Sequence, residues 1–346
     1  VGISSALGSS ALLPAGLGFR NLVINGGLDI WQRGTSFSNP ASHEFTADRF
    51  FVLYDGAGAT RTISQGQFDP YPSSATVTAT PPTGQSPTYF LRWAQSVAGS
   101  GATYNVLYAN RIENVRLIAG QTVTLSFYAK AASNLTMPAI DIEQHFGSGG
   151  SPSANVNTTV TSNLAVTTSW QRFLFTFQVP SAAGKVIGTN TNSSFTSIRL
   201  FLPINTTFTF DIWGVQLEQN YQPTPFEQRP IGVELALCQR YYYVLGSGNN
   251  IWVAPGYNFS ANQANFLIKF PQEMRGTPGM DATSGTNYYT FDRNGASDQF
   301  NSVALFQPSA YGCLLYNNTE ISGTAGNGGA LFLSNASAKI AFGAEL

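Results

Sequence analysis

The sequence predicts an all-β protein: a jelly-roll β-sandwich, followed by a short helix and a second, smaller β-sandwich-like domain. Three observations predict it. Short segments with apolar residues at alternate positions recur along the 346 residues, separated by Gly, Asn, Ser and Pro. The period changes once, after Gly232, where Val233, Leu237 and Tyr241 follow at every fourth position. Charged residues make up only 10%, against 34 glycines and 25 phenylalanines, where an ordinary domain carries about a quarter charged. Such a chain is built from strands and turns, with an uncharged polar surface.

Taken in order, residues 1–20 have no period and read as a linker or docking strap. The sandwich is expected over 21–221. Leu22–Ile24 leads into an Asn25-Gly26-Gly27 turn, and Leu28, Ile30 and Trp31 follow as strand signals. Arg49–Tyr54, Thr60–Ile63, Tyr89–Ser96, Thr122–Ala129, Pro138–Phe146, Trp170–Val179 and Ser197–Leu202 are the next candidate strands. Ala75–Ala79 is a short one inside a Pro/Ser/Thr-rich loop. Phe208, Phe210 and Ile212 alternate, the phase slips at Trp213-Gly214, and Val215 and Leu217 continue on the other parity, which predicts a bulge.

Pro223, Pro225 and Pro230 make residues 222–230 an extended connector. Residues 231–346 then form the second domain, opening with a helix whose buried stripe is Val233, Leu237 and Tyr241, widened by Cys238 and Tyr242. Its candidate strands are Ile251–Val253, Asn265–Phe270, Asn287–Phe291, Val303–Phe306, Gly312–Tyr316, Ala330–Leu333 and Lys339–Phe342. There are no heptads and no repeat period, so any oligomer must use β-surfaces.

Net charge is −1, which gives no reason to expect nucleic acid or anionic lipid as a partner. No apolar run approaches a membrane span, and Gly2–Leu17 lacks the basic segment of a secretory signal. Cys238 and Cys313 are too few for a disulfide framework and read as two buried thiols, pairing being the alternative.

Catalysis finds little support, and no enzyme is expected. The two histidines, His43 and His145, sit in no nucleophile or metalloenzyme motif. Asp141, Glu143 and His145 fall on one face of a strand, a pattern that suits a divalent metal or an acid/base pair but equally a solvent-facing polar face. The aromatic residues Trp252, Tyr257, Tyr288, Tyr289, Tyr311 and Tyr316, several beside Gly, Asn or Ser, are candidate plates for the apolar faces of sugars. For any single ring a place in the core is the plainer reading.

The strings VQLE (Val215–Glu218), TPFEQRP (Thr224–Pro230) and ELALCQRYY (Glu234–Tyr242) resemble a segment recurring in tail-fibre-like and other virion structural proteins of tailed bacteriophages. RNLVINGGLDIWQRG (Arg20–Gly34) with ADRF (Ala47–Phe50), and FPQEMRGTP (Phe270–Pro278) with the closing Ala344-Glu345-Leu346, extend the resemblance to both domains. It implies a virion protein, assembled in the bacterial host cytoplasm, that works as a homotrimer with other tail or virion proteins. Its implied role is host-surface recognition through cell-surface polysaccharide, as a tail fibre or fibre-like appendage. Scarce lysine supports the trimer, since strand-rich chains otherwise guard their sheet edges with lysine. The alternatives are a secreted polysaccharide-acting enzyme or its carbohydrate-binding module and, within the virion, a head-decoration or tail adaptor protein.

The first domain also resembles jelly-roll carbohydrate-binding modules, in which acids on the first and last strands can hold a structural calcium. Asp29 and Asp211 match that arrangement, and oxygen ligands suit such an ion. The competing expectation is that Asp29 caps a turn and Asp211 pairs with an arginine such as Arg33 or Arg49.

Overall fold

Two antiparallel sheets packed face to face build the N-terminal part, and one long curled sheet builds the rest. The structure, a computed structural model, describes residues 19–68, 82, 84–190 and 192–346. The expectations for residues 1–18 and for Ala75–Ala79 lie outside the described residues.

The first part contains β1 (Ser36–Ser38), β2 (Phe50–Tyr54), β3 (Thr60–Gln67), β4 (Tyr89–Val97), β5 (Asn105–Glu113), β6 (Thr122–Ala131), β7 (Leu135–His145), β8 (Val156–Val166), β9 (Gln171–Gln178), β10 (Phe195–Phe201) and β11 (Phe208–Glu218). One sheet has the order β1-β3-β4-β11-β6-β9 and the other β2-β5-β10-β7-β8. After β4 the chain crosses between the sheets at almost every connection, which is jelly-roll connectivity. Alternation along β6 sends Val123, Leu125, Phe127 and Ala129 into the core, where they meet Trp93, Phe210 and Ile212 from their own sheet and Leu107, Ile140, Ile142, Ile198 and Leu200 from the facing one. At Gly214 (φ +65°) the β11–β6 register shifts, so the phase slip in the sequence is a bulge. It returns Val215 and Leu217 to the core face, while Trp213, on the outer face by alternation, joins a second aromatic cluster with Phe68, Phe90 and Tyr128, sealed by Phe226 of the connector.

Two parts of this sandwich depart from the sequence reading. Leu22–Ile24 and Leu28–Trp31 are turns and coil rather than strands. The side chains of asparagines take the place of a ladder there: Asn25 donates to Ile30 O and Asp48 O and accepts from Ile30 N, while Asn21 spans Val215 and Leu217 of β11. Gly26 is required because a Cβ on it would lie 2.1 Å from Val215 O. Strands β5 and β8 were not foreseen. Val106 to Ala109 of β5 is buried on both faces and so shows no alternation, whereas β8 is a polar edge strand.

The connector threads from β11 to the helix and nails the opening turn in place. Glu218 accepts from Thr224, Gln216 accepts from Glu227 N, and Glu227 accepts from Arg20 N and Asn21 N. The helix α1 spans Ile231–Gln239. Its buried positions are Glu234 and Cys238, continued by Tyr241 and Tyr242; of the expected stripe Cys238, Tyr241 and Tyr242 are buried, whereas Val233 and Leu237 are only half-buried and Glu234 takes the inward place. The cause is a polar contact: the Glu234 carboxylate takes Asn25 N–H and pairs with Arg229, rotating that face inward.

Beyond α1 come β12 (Tyr242–Ser260), β13 (Gln263–Lys269), β14 (Gly279–Ala282), β15 (Tyr289–Arg293), β16 (Ala296–Phe300), β17 (Ala304–Ser309), β18 (Gly312–Asn317) and β19 (Gly328–Gly343). They form a single sheet ordered β16-β15-β19-β12-β13-β18-β17, with β14 also on β19. Strands β12 and β19 pair from Tyr242↔Gly343 to Tyr257↔Gly328 with four register shifts, and these bend the sheet. Edge strands β16 and β17 are joined only by residues 301–303, a link that spans at most roughly 10–14 Å, so the sheet folds back on itself. Phe266 of β13 meets Phe291 of β15 at 5.3 Å and Phe300 of β16 at 6.2 Å inside the curl. Cys238 and Cys313 are unpaired buried thiols, and burial pushes Cys313 up to about 11.

The two parts are locked together by arginines. Glu345 pairs with Arg33 (2.9 Å) and with Arg49, whose side chain is 1% exposed. Arg33 lies on the Tyr242 ring and Arg49 on Tyr241, at 3.6 and 3.4 Å, and Arg240 pairs with Glu113 at 3.0 Å. Asp48, beside Arg33 and Gln32, is raised from 3.8 to about 6, burial outweighing its partners. A carboxyl raised in the folded state keeps its proton where the unfolded chain has released it. Its contribution to stability is therefore full below about pH 4 and lost as the pH rises to about 6. Asp48→Asn is expected to match the parent near pH 4 and to exceed it above pH 6 by up to about 3 kcal/mol in urea unfolding. A difference independent of pH would contradict this.

Candidate functional site

The outer face of the curled sheet carries the exposed rings. Antiparallel partners share a face, so the register Gly328↔Tyr257↔Asn265↔Tyr316↔Ala304 is one continuous row across β19, β12, β13, β18 and β17. Strand spacing puts Tyr257 and Tyr316 about 10 Å apart, with Asn265 between them and small residues at both ends. Gly328 leaves the side of the Tyr257 ring open: a Cβ there would meet nothing within 4 Å. Next to it a small polar cavity of about 220 Å³ is lined by Arg293, Asn294, Asn327 and Gly328. Arg293 is held by Asp298 (2.6 Å) and Asn258 (2.9 Å), fixing the polar rim.

The six aromatic candidates are distributed as follows. Tyr257 is 42% exposed and Tyr316 half-buried, and both lie in the row. Trp252 is 61% exposed, outward on β12, against Phe332 at 5.1 Å. Tyr311 is 65% exposed in the β17–β18 turn. Tyr288 packs against the core. Tyr289 is fully buried on Phe300 and donates its hydroxyl to backbone oxygens of Thr283 and Lys339, so it presents no ring face to a ligand. Its alternation with Phe291 signals that inward parity in the sequence. Phe259, Leu267 and Phe306 are also exposed on this sheet, and no sequence signal singled them out.

Asp29 and Asp211 have different neighbours. Asp211 receives Arg92 Nε and Nη2 at 2.8 and 2.9 Å, with Lys130 at 3.7 Å. Asp29 lies in the opening coil, raised to about 6 by burial and then by Glu234. Two cations on both oxygens of Asp211 do not fit a calcium ion, which needs those oxygens free. The arginine pairing foreseen for Asp211 exists, but with Arg92 rather than Arg33 or Arg49, which turn to Glu345. Among the described residues no group of three or more His, Cys, Asp and Glu side chains is placed to hold a metal.

Asp141, Glu143 and His145 do share one face of β7, the outer face of the five-stranded sheet. Arg199 holds Asp141 through Nε (3.0 Å) and Nη2 (2.7 Å) and reaches Glu143 at 3.7 Å. Glu143 also accepts from Ser197 and Asn155, at 3.1 and 3.0 Å. Burial raises Asp141 against the pull of Arg199. With both oxygens of Asp141 on Arg199 and both of Glu143 accepting from Asn155 and Ser197, neither carboxyl presents a free oxygen to a ligand, and the trio forms a polar network. His145 stacks on Phe195 at 4.5 Å, nearly parallel. At that end of the sheet lies a cavity of about 400 Å³, closed from the other side by Arg275 and Leu346.

The fold defines an antiparallel β-sandwich protein with a curled second sheet. No protein-family model and no curated protein matches the chain. Similar solved structures include the enzymatically active domain of tailspike protein 4 of bacteriophage CBA120, at 12% identity over 54% of this chain and 21% of that one, TM-score 0.32. A putative sugar binding protein from Bacteroides thetaiotaomicron is 14% identical over 58% of this chain and 100% of that one, TM-score 0.34. The family 11 carbohydrate-binding module from Clostridium thermocellum, in complex with a β-1,3-1,4-mixed-linked tetrasaccharide, is 9% identical over 55% and 98%, TM-score 0.31. The chain spans about a fifth of the tailspike domain's length, 21%. With TM-scores this low, fold and site rest on the strand order and side chains described above.

Proposed function

We propose that the protein is a non-catalytic glycan-binding protein of a phage virion, a tail fibre or fibre-like appendage that contacts host-surface polysaccharide. The observation that carries glycan recognition is the Tyr257–Asn265–Tyr316 row, opened on one side by Gly328. Flat rings take the apolar faces of sugars, and the exposed Asn294 and Asn327 beside Gly328 supply hydrogen bonds to hydroxyls. The virion setting is supported by the sequence resemblance at Val215–Tyr242 and Arg20–Gly34. A free carbohydrate-binding module would use the same row, so labelling of the virion separates the two settings.

Incubating the full chain with host-envelope polysaccharide is expected to give retention with no new reducing ends. Release of reducing ends would overturn the non-catalytic reading. The working unit is proposed to be a homotrimer, and the exposed Leu267 and Phe306, cross-strand neighbours of Leu314, offer apolar surface for a second copy to cover. Light scattering at micromolar concentration is expected to read three times the chain mass. A stable monomer would refute the trimer and leave the glycan row untouched.

A further inference from the structure

Asparagine is chemically labile, and most so before glycine, where the missing Cβ lets the next backbone nitrogen approach the side-chain amide. The chain holds this pair three times, as Asn25-Gly26, Asn294-Gly295 and Asn327-Gly328. The fold treats the first differently from the other two.

Asn25 is fully buried, and three hydrogen bonds hold its amide: it donates to Ile30 O and Asp48 O and accepts from Ile30 N. Gly26 O accepts from Val215 N, and Val215 O packs so closely that a Cβ on Gly26 would not fit. The amide and the glycine nitrogen are thus fixed apart from any rearrangement. Asn294 and Gly295 instead form the exposed turn between β15 and β16, with Gly295 at φ +76°. Asn327 is exposed immediately before β19, and its hydrogen bonds are main-chain ones, to Thr324 O at 3.1 Å and from Asn258 N at 2.8 Å. Among the described residues neither the Asn294 nor the Asn327 side chain makes a hydrogen bond, and Gly295 N–H has no backbone partner. Both side chains line the polar cavity of about 220 Å³ beside Gly328.

We propose that Asn294 and Asn327 are sites of spontaneous deamidation that turn this rim acidic, while Asn25 stays intact. The backbone nitrogen of the following glycine attacks the side-chain Cγ, and a C–N bond forms. The amide nitrogen leaves as ammonia, taking the proton released by the glycine nitrogen, and a cyclic succinimide remains. Water then opens the ring at either carbonyl, restoring the N–H and leaving aspartate or isoaspartate. An amide both donates and accepts, whereas a carboxylate only accepts. Each conversion therefore removes a donor to sugar hydroxyls. That consequence rests on the glycan reading of the Tyr257 row, and the deamidation itself does not.

The test is peptide mapping by mass spectrometry after incubation of the full chain at mildly alkaline pH, folded and in urea. In urea the three pairs are expected to convert at similar rates. In the folded chain Asn294 and Asn327 are expected to convert at least tenfold faster than Asn25, and Asn294→Gln/Asn327→Gln to suppress the acidic species seen by isoelectric focusing. Rim asparagines no faster than Asn25 in the folded chain would overturn the proposal. Protection of Asn25 that persists in urea would overturn the argument from burial. Asn294→Asp/Asn327→Asp is expected to bind host-envelope polysaccharide at least tenfold more weakly than the freshly purified parent, and parent-like affinity would overturn the effect of an acidic rim. A parent that binds no polysaccharide would overturn the glycan row, and the mapping would still decide the modification.

Discussion

Glu345→Ala is expected to lower the unfolding free energy by about 3–5 kcal/mol, the usual cost of removing one member of a buried ion pair. The cost arises on the partner left behind. Arg49 is 1% exposed, its charge set against Glu345, the Arg111 carbonyl and the Tyr241 ring. Without the carboxylate, a guanidinium remains out of water with only a carbonyl and an aromatic face to offset its desolvation. Arg33 loses the same partner but keeps Asp48 at 3.8 Å and some solvent, so its share is smaller. Urea unfolding measures the sum, and the double variant Glu345→Ala/Arg49→Met is expected to recover part of the loss because the stranded charge is gone. A loss of less than about 1 kcal/mol would mean that the pair behaves as a surface salt bridge and does not hold the two parts together.

Phe266→Ala is expected to cost a further class of stability, about 3–5 kcal/mol for a large ring removed from a packed interior. Phe266 has no exposed surface and touches rings from strands three and four places away in the sheet, Phe291 and Phe300. Those contacts exist because the sheet curls, so the variant tests the closure as well as the packing. Gly256, its cross-strand partner, leaves no room for relaxation on one side, since a Cβ there would come within 2.3 Å of the Phe266 ring. The C-terminal part should unfold at a markedly lower urea concentration. A change below about 1 kcal/mol would place Phe266 outside the core.

Much of the fold was legible because strands with one buried face write their period into the chain. Phe210 and Ile212 point inward, and the slip at Gly214 marks the bulge that brings Val215 and Leu217 back to the core face. What was not legible follows from the same logic. Strand β5 is buried on both faces and has no alternation to read, and the long β12 and β19 change phase at each register shift, so only fragments of them stood out. In the helix Cys238 and Tyr241 are buried as their spacing implies, but Glu234 rather than Val233 turns inward in the first turn, because an inward glutamate looks like a surface residue until Arg229 and Asn25 are known to face it.

At the candidate sites, alternation identifies rings on a face but not which face is covered. Tyr289 shares its parity with Phe291 and lies inside the curl, whereas nothing in the sequence shows that Tyr257 lies opposite Gly328. Asp211 looked like a ligand because nothing in sequence reveals that Arg92 lies in register beside it. The junction was least visible of all: Arg49 and Glu345 lie 296 positions apart.

The most direct test of the account is the affinity of the full chain for host-envelope polysaccharide, compared among the parent, Tyr257→Ala and Leu174→Ala. Leu174 is exposed on β9, away from the curled sheet, and serves as the control. The account predicts that Tyr257→Ala weakens binding about tenfold, the worth of one stacked ring, with an unchanged melting temperature, and that Leu174→Ala binds like the parent. Parent-like affinity in Tyr257→Ala would contradict the assignment of the row as the glycan-binding surface.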